Sequence, residues 1–227
     1  MALSDWDIYK NHVSMQASID ITTPLAGQGS LRLGKPTNYP AARVNLVSKG
    51  VTYAPVGLLA GAIAACMTFP TTFTVDNNTI HSGGICCLQS QRDLVSAQTG
   101  TAYTLQVERT LTSPSMTLIL RRWTGGLIDS SQPTPIWSAA VAPIVPLGMP
   151  FTVELQWEAV ATYGGTRLVV RRGTQLDYTD LLTVVDLIHP FNPVPTSSAG
   201  EGPFYLGEGT TSNSAVLFDN WRVRGVI

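Results

Sequence analysis

Charge is scarce in this chain. Only 13% of its 227 residues are Asp, Glu, Lys or Arg, and 14 basic against 15 acidic residues leave a formal net charge of −1. No basic stripe is present that would grip a phosphate backbone, so no nucleic acid partner is expected. No block of like charge marks a solvated tail. Cysteine is scarce as well, with Cys66, Cys86 and Cys87 the full set. An odd count without regular spacing argues against a disulfide framework or a zinc site. The three are read as reduced, buried thiols that behave as small hydrophobes. Long apolar runs are missing: the longest, "VGLLAGAIAACMTF", covers the 14 residues from Val56 to Phe69. Spanning a bilayer takes ~20 residues, so the run is read as core and no membrane partner is expected. The opening "MALSDWDIYK" has no basic stretch followed by an apolar one, hence no secretory signal, and folding in the cytoplasm is expected.

What the chain does have is hydrophobic content, 44%, arranged with a period of two. Val13, Met15, Ala17, Ile19 and Ile21 alternate with Ser14, Gln16, Ser18 and Asp20. Tyr103, Leu105 and Val107 alternate with Thr104, Gln106 and Glu108, and Phe151, Val153, Leu155 and Trp157 with Thr152, Glu154, Gln156 and Glu158. Such alternation marks strands with one face in the core and one in water. A polar outer face points to antiparallel pairing. Further strand candidates lie around Leu31–Leu33, Val44–Leu46, Gly61–Phe69, Gly83–Ser90, and from Met116, Arg167 and Phe204. Turn-forming residues separate them: Asp76-Asn77-Asn78, Gly125-Gly126, Gly164-Gly165, Arg172-Gly173 and Pro193–Gly202. About a dozen short strands and no convincing amphipathic helix predict an all-β, antiparallel two-sheet sandwich, one domain over residues 1–227. The single helix competitor, Val56–Cys66, is weakened by Gly57 and Gly61.

The order of these segments resembles the concanavalin A-like jelly rolls, in particular the laminin-G-like domains. "GAIAACMTF" is followed by "HSGGICCLQSQRDLVSAQTGTAYTLQVER", a strand, a loop and a strand opening on an aromatic residue. "SMTLILRRWTGG" and the hairpin "PFTVELQWEAVATYGGTRLVVRRGTQL" come next, then "SAGEGPFYLGEG" and "VLFDNWRVRGV". The resemblance spans roughly residues 13–226 and implies two sheets of six or seven strands. It also implies adjacent first and last strands, with residues 1–12 packing near the C-terminal strand and Trp6 and Ile8 near Trp221 and Val223. Members of this fold include lectins, glucanases and virion proteins of tailed phages.

Catalytic patterns are poorly represented. Glucanases of this fold carry acidic residues at neighbouring same-face positions, as retaining hydrolysis needs carboxylates about 5–5.5 Å apart. Glu154 and Glu158 share a face, yet four residues at ~3.3 Å each put them roughly 13 Å apart. They are read as a solvated outer face. No G-x-S-x-G elbow, P-loop or dinucleotide fingerprint occurs. His12, His81 and His189 are isolated in sequence. Asp76 and Asn78 offer oxygen ligands, and Ca²⁺ there is the lesser reading, behind an ordinary hairpin turn. Trp123, Trp137, Tyr163 and Tyr178 lie near turns or strand ends, placed to stack on a sugar or, equally well explained, to pack in the core or fill an interface.

Together these readings favour a non-enzymatic structural protein of a tailed-phage particle, a capsid decoration or a tail- or fibre-associated subunit. Its partners would be other virion proteins or copies of itself in a homo-oligomer, with the virion, assembled in the host cytoplasm, as its location. A carbohydrate-binding, lectin-like module with glycan partners is the alternative, and a glycoside hydrolase ranks third. No cofactor is expected. One local irregularity stands out in the last strand. Val216 and Phe218 are in one phase, Trp221 and Val223 in the other. Since one slipped residue flips every side chain to the opposite face, a β-bulge at Asp219 and Asn220 is expected to restore the phase. Their side chains would bond backbone groups there and tie the strand to the segment near Trp6.

Overall fold

The structure is a computed structural model. It describes the chain apart from residues 1, 14, 23–24, 26, 36–41, 50–59, 72–79, 91, 94, 96–99, 111–114, 126–132, 161–164, 175–177, 190–199, 208–213 and 226–227. After a short 3-10 turn at Leu3–Asp5 come β1 (Trp6–Lys10), β2 (Gln16–Asp20), β3 (Ser30–Lys35), β4 (Ala42–Ser48), β5 (Ala60–Thr68), β6 (Ile80–Gln89) and β7 (Ala102–Thr110). Then follow β8 (Ser115–Trp123), β9 (Trp137–Ala140), β10 (Phe151–Val160), β11 (Gly165–Gly173), β12 (Leu182–His189), β13 (Gly200–Gly207) and β14 (Ser214–Gly225).

The strands form two antiparallel sheets of seven: β1-β4-β13-β6-β7-β8-β9 and β12-β11-β10-β5-β14-β3-β2. This is the lectin-like jelly-roll sandwich. Its core is the set of inward positions that the two-residue period singles out. Leu105 and Val107 of β7, Leu118 and Leu120 of β8, Val153 and Leu155 of β10, and Val216 and Phe218 of β14 pack in one cluster. Sealing each such side chain from water contributes roughly 1.5–3 kcal/mol. At the ends of β2 the alternation stops short of the core, for Val13 and Ile21 are exposed while Met15 is buried. Strand β12, which the sequence does not single out, is the outermost strand of the second sheet. Its inward Val185 and Leu187 lean on the core from the edge.

Two expectations change, one from the resemblance and one from the alternation. The first and last strands are not neighbours in one sheet: β1 pairs with β4 in the first sheet, and β14 lies between β5 and β3 in the second. They meet only across the sandwich, where Trp6 and Trp221 pack edge to face with ring centroids 5.5 Å apart and planes at 82°. Secondly, the outward face of the first sheet is in part buried rather than open to water. Cys86, Ala102, Trp123, Phe204 and Leu206 form a separate buried apolar cluster. They occupy the phase opposite to the core-facing Ile85, Leu105, Leu120 and Tyr205.

The irregularity in β14 is a register shift. Asp219 pairs with Cys66 and Arg222 with Ala64, so Asn220 and Trp221 oppose the single residue Ala65. Asn220 has φ of 48°, the left-handed region that Asn tolerates better than most residues. The extra residue turns Trp221 and Val223 toward the core and leaves Arg222 and Arg224 exposed. One Asp219 carboxylate oxygen accepts from the Asn220 backbone N–H at 2.8 Å, and the other from the Ser30 hydroxyl at 3.0 Å. Asp219 thus ties β14 to β3. Contact with that segment comes from Trp221.

Candidate functional site

The outward face of the second sheet carries the side chains with the richest chemistry. Its rows follow from the pairing register. Arg171, Glu154, Ala64 and Arg222 lie abreast on β11, β10, β5 and β14. Val169, Gln156, Ala62 and Arg224 form the next row, and Arg167, Glu158 and Ala60 the one after. Opposite these rows the central strand β5 therefore contributes only small side chains outward, Ala60, Ala62, Ala64 and Cys66, with Thr68 at its end. Long polar side chains rise from the strands on either side of this low floor. Along the inward phase Trp157 lies against Gly61, where a Cβ would come within 2.4 Å of the indole, so only glycine lets the ring settle there.

Glu154 corrects the sequence reading of a solvated outer face: its side chain is 1% exposed. Small neighbours on β5 let arginines reach over it from both sides. Arg171 Nη1 donates to Oε1 at 3.3 Å, Arg224 Nη2 to Oε2 at 2.5 Å, and Gln156 Nε2 to Oε1 at 2.6 Å. Beyond it, Arg167 bridges two carboxylates, Asp186 at 2.6 Å and Glu158 at 3.4 Å. The hydrogen bond from Arg167 and its charge hold the Asp186 carboxyl below its usual range. Between β5 and β12 these groups line an open cleft of about 390 Å³, bounded by Ala60, Gln156, Glu158, Arg167, Arg171 and Asp186 among others.

Tyr178 stands over the other end of the face, on the loop between β11 and β12. That loop is closed by Asp180, which accepts from the Thr174 backbone N–H at 2.6 Å and from its hydroxyl, and Arg171 Nη2 donates to the Leu181 carbonyl at 3.1 Å. The guanidinium of Arg222 lies 4.1 Å from the Tyr178 ring centroid. Burial pushes the Tyr178 phenol well above its ordinary value; the charge of Arg222 opposes this, and Cys66, Glu154 and Asp219 add to it. Among the described residues the buried hydroxyl has no hydrogen-bond partner.

The remaining sequence-singled residues lie elsewhere. Trp123 is no platform: it is 1% exposed, and its indole N–H donates to the Thr104 hydroxyl at 2.8 Å. Trp137 is half-buried against the core at the edge strand β9. Tyr163, Asp76 and Asn78 lie outside the described residues. Among the described residues no group of three or more His, Cys, Asp and Glu side chains is placed to hold a metal ion, and no helix is long and apolar enough to cross a membrane. The three cysteines are free and buried. Burial pushes the Cys66 thiol up to about 12, with smaller effects from Thr152 and Asp219, and burial raises Cys86 and Cys87 as well. The site residues that sequence reading passed over are Asp186 and the arginines. Arg222-Val223-Arg224 and Arg167-Leu168 show the two-residue alternation, but only the register brings them to one face.

No protein-family model matches the chain. No curated protein matches it either. Solved structures do resemble it. The carbohydrate recognition domain of Emp46p, in a metal-free form, superposes with a TM-score of 0.56 at 13% identity, over 99% of this chain and 90% of that one. A legume lectin-like domain from Entamoeba histolytica gives 0.55 at 9% identity, over 99% and 92%. The exoplasmic/lumenal domain of VIP36, bound to Ca²⁺ and Man3GlcNAc, gives 0.54 at 12% identity, over 100% and 86%. At these identities the likeness is one of fold, that of the legume lectin-like, concanavalin A-like jelly rolls.

Proposed function

We propose that this protein binds saccharides, as a lectin-like module, in the cleft on the outward face of the second sheet. The lining of the cleft carries the reading. Sugar hydroxyls need donors and acceptors held at fixed positions, and Gln156, Glu158, Arg167, Arg171 and Asp186 supply both. The arginines and carboxylates orient one another, which limits the side-chain entropy lost on binding. A volume of about 390 Å³ is in the range of small-ligand sites, roughly 300–1,000 Å³. The fold neighbours support the reading: one is described as a carbohydrate recognition domain, and another holds a mannose-containing glycan. It takes precedence over the particle-component role that the sequence reading put first, for which the fold neighbours offer nothing. No ion is assigned to the cleft.

We read the module as a binder rather than an enzyme. Glycoside hydrolysis needs a carboxylic acid that keeps its proton near neutral pH. Here Glu154, Glu158 and Asp186 are each ion-paired to arginine, and Asp186 is shifted the opposite way. The test is a glycan array with the purified protein, repeated with Gln156→Ala and Arg167→Ala. Reproducible hits weakened by both substitutions are expected. An array without hits, or hits that both variants retain in full, would overturn the reading.

A second reading, a subunit of a symmetric assembly such as a virion component, is favoured by one observation. The edge strand β12 and its entry expose Leu182, Val184 and Ile188 at 74%, 40% and 46%. Edge strands of this length and apolarity tend to pair with another chain. Light scattering on the purified protein separates the two: a monomer at all concentrations would dismiss the assembly.

A further inference from the structure

Resting on the saccharide reading above, we infer that the ligand is acidic, and that Arg222, stacked on Tyr178, receives its carboxylate at a subsite beyond the cleft. Arg222 is the arginine on this part of the sheet face without an acceptor. Arg167 is engaged by Asp186 and Glu158, and Arg171 and Arg224 by Glu154. Arg222 makes a ring contact with Tyr178, and among the described residues no hydrogen bond or ion pair occupies its five donors. The nearest carboxylate along its own strand, Asp219, already accepts from Ser30 and from the Asn220 backbone.

The guanidinium is also held on one side: its carbon lies 4.1 Å from the centroid of the Tyr178 ring, a cation–π contact, and Asp180 beside that tyrosine accepts from the Thr174 backbone N–H. A planar guanidinium fork matches a carboxylate in a bidentate fashion, and a ring contact already made leaves less to order on binding. Arg224 stands two residues on along the same face, ~6.6 Å away, and adds a second positive charge. The bulge at Asp219 and Asn220 makes this possible, because it exchanges Trp221 and Val223 for Arg222 and Arg224 on the outward face. Arg222 lies in the same cross-strand row as Arg171, a residue of the cleft lining, three strand spacings or ~14 Å away. A short chain of sugar units lying across the strands would reach both.

The test uses short oligouronates (oligogalacturonate, oligoglucuronate, oligomannuronate), each beside its carboxyl-reduced neutral form, and a sulfated neutral oligosaccharide. Binding to the full chain is measured by calorimetry at low and high salt. At least one oligouronate is expected to bind, about tenfold or more above its reduced form, and to weaken with salt. Arg222→Gln should lose that margin and leave the neutral form unaffected. Arg222→Lys, which keeps the charge and loses the fork, should restore part of it; circular dichroism checks that both variants fold. Equal binding of charged and reduced forms overturns the acidic ligand and leaves the saccharide reading standing. Preference for the sulfated sugar over every oligouronate overturns the carboxylate. Oligouronate binding untouched by Arg222→Gln overturns the subsite. If neither charged nor neutral sugars bind, the inference falls together with the saccharide reading.

Discussion

Replacing Glu154 with Gln tests whether the buried carboxylate organises the outward face of the second sheet. Three donors converge on it, from Arg171, Arg224 and Gln156. Removing one partner of a fully buried ion pair costs about 3–5 kcal/mol, because the other charge is stranded. Here the arginines are not stranded: their side chains are 31% and 56% exposed and can turn to water. Their two pairs are therefore worth nearer the surface value, about 0.5–1 kcal/mol each. The new amide adds a donor where three donors already point, which costs about 1 kcal/mol for a buried group left unsatisfied. The sum is about 2–3 kcal/mol. For a chain of this length 1 kcal/mol moves the melting temperature by about 2–4 °C, so Glu154→Gln should melt about 4–12 °C lower. Thermal unfolding followed by circular dichroism, with Arg224→Gln and the double variant, reads both the loss and the coupling. A Glu154→Gln protein that melts within about 1 °C of the parent would refute the clamp, as would strictly additive single variants.

Other outcomes follow from single sites. Asn220→Gly should leave stability nearly unchanged, while Asn220→Val should cost about 1–2 kcal/mol in urea unfolding, since a β-branched residue resists φ of 48°. Equal stability of the two variants would remove the left-handed turn from the account. The thiols should react with an aromatic disulfide reagent only on unfolding, since all three are buried. Cys66 is raised to about 12, so its share of native stability is intact below ~8.5 and is lost as pH climbs toward the folded value. Fast labelling of the native protein at neutral pH would contradict this. Asp186 is lowered by Arg167, so what it contributes is present above ~3.9 and disappears as pH falls through its folded value. A carboxyl titration by NMR with a midpoint at or above ~3.9 would break that ion pair from the account.

Much of the architecture was legible in the sequence because a strand's side chains alternate strictly. Val153-Glu154-Leu155 and Leu105-Gln106-Val107 announce a buried and an outward face whatever they pair with. Even the bulge could be read, since Phe218 and Trp221 cannot share a face without an extra residue. The two faces of the first sheet were harder. Trp123 follows a polar alternation at the end of β8, and its burial depends on Cys86, Phe204 and Leu206, brought alongside from strands far away in sequence. For the same reason the outer position of Glu154 looked solvated.

What the sequence by itself determined is local: which residues form strands, which phase of each faces inward, and where the last strand breaks phase. These follow from backbone geometry and the cost of leaving apolar side chains in water. Only the tertiary structure decided which strands are neighbours. That choice put β5, with its alanines, between Glu154 and the arginines of β14, and so buried a carboxylate on an outer face. It also set Arg222 against the Tyr178 ring, with no acceptor for its donors among the described residues. Register between distant segments is set by long-range packing, and no run of adjacent residues records it.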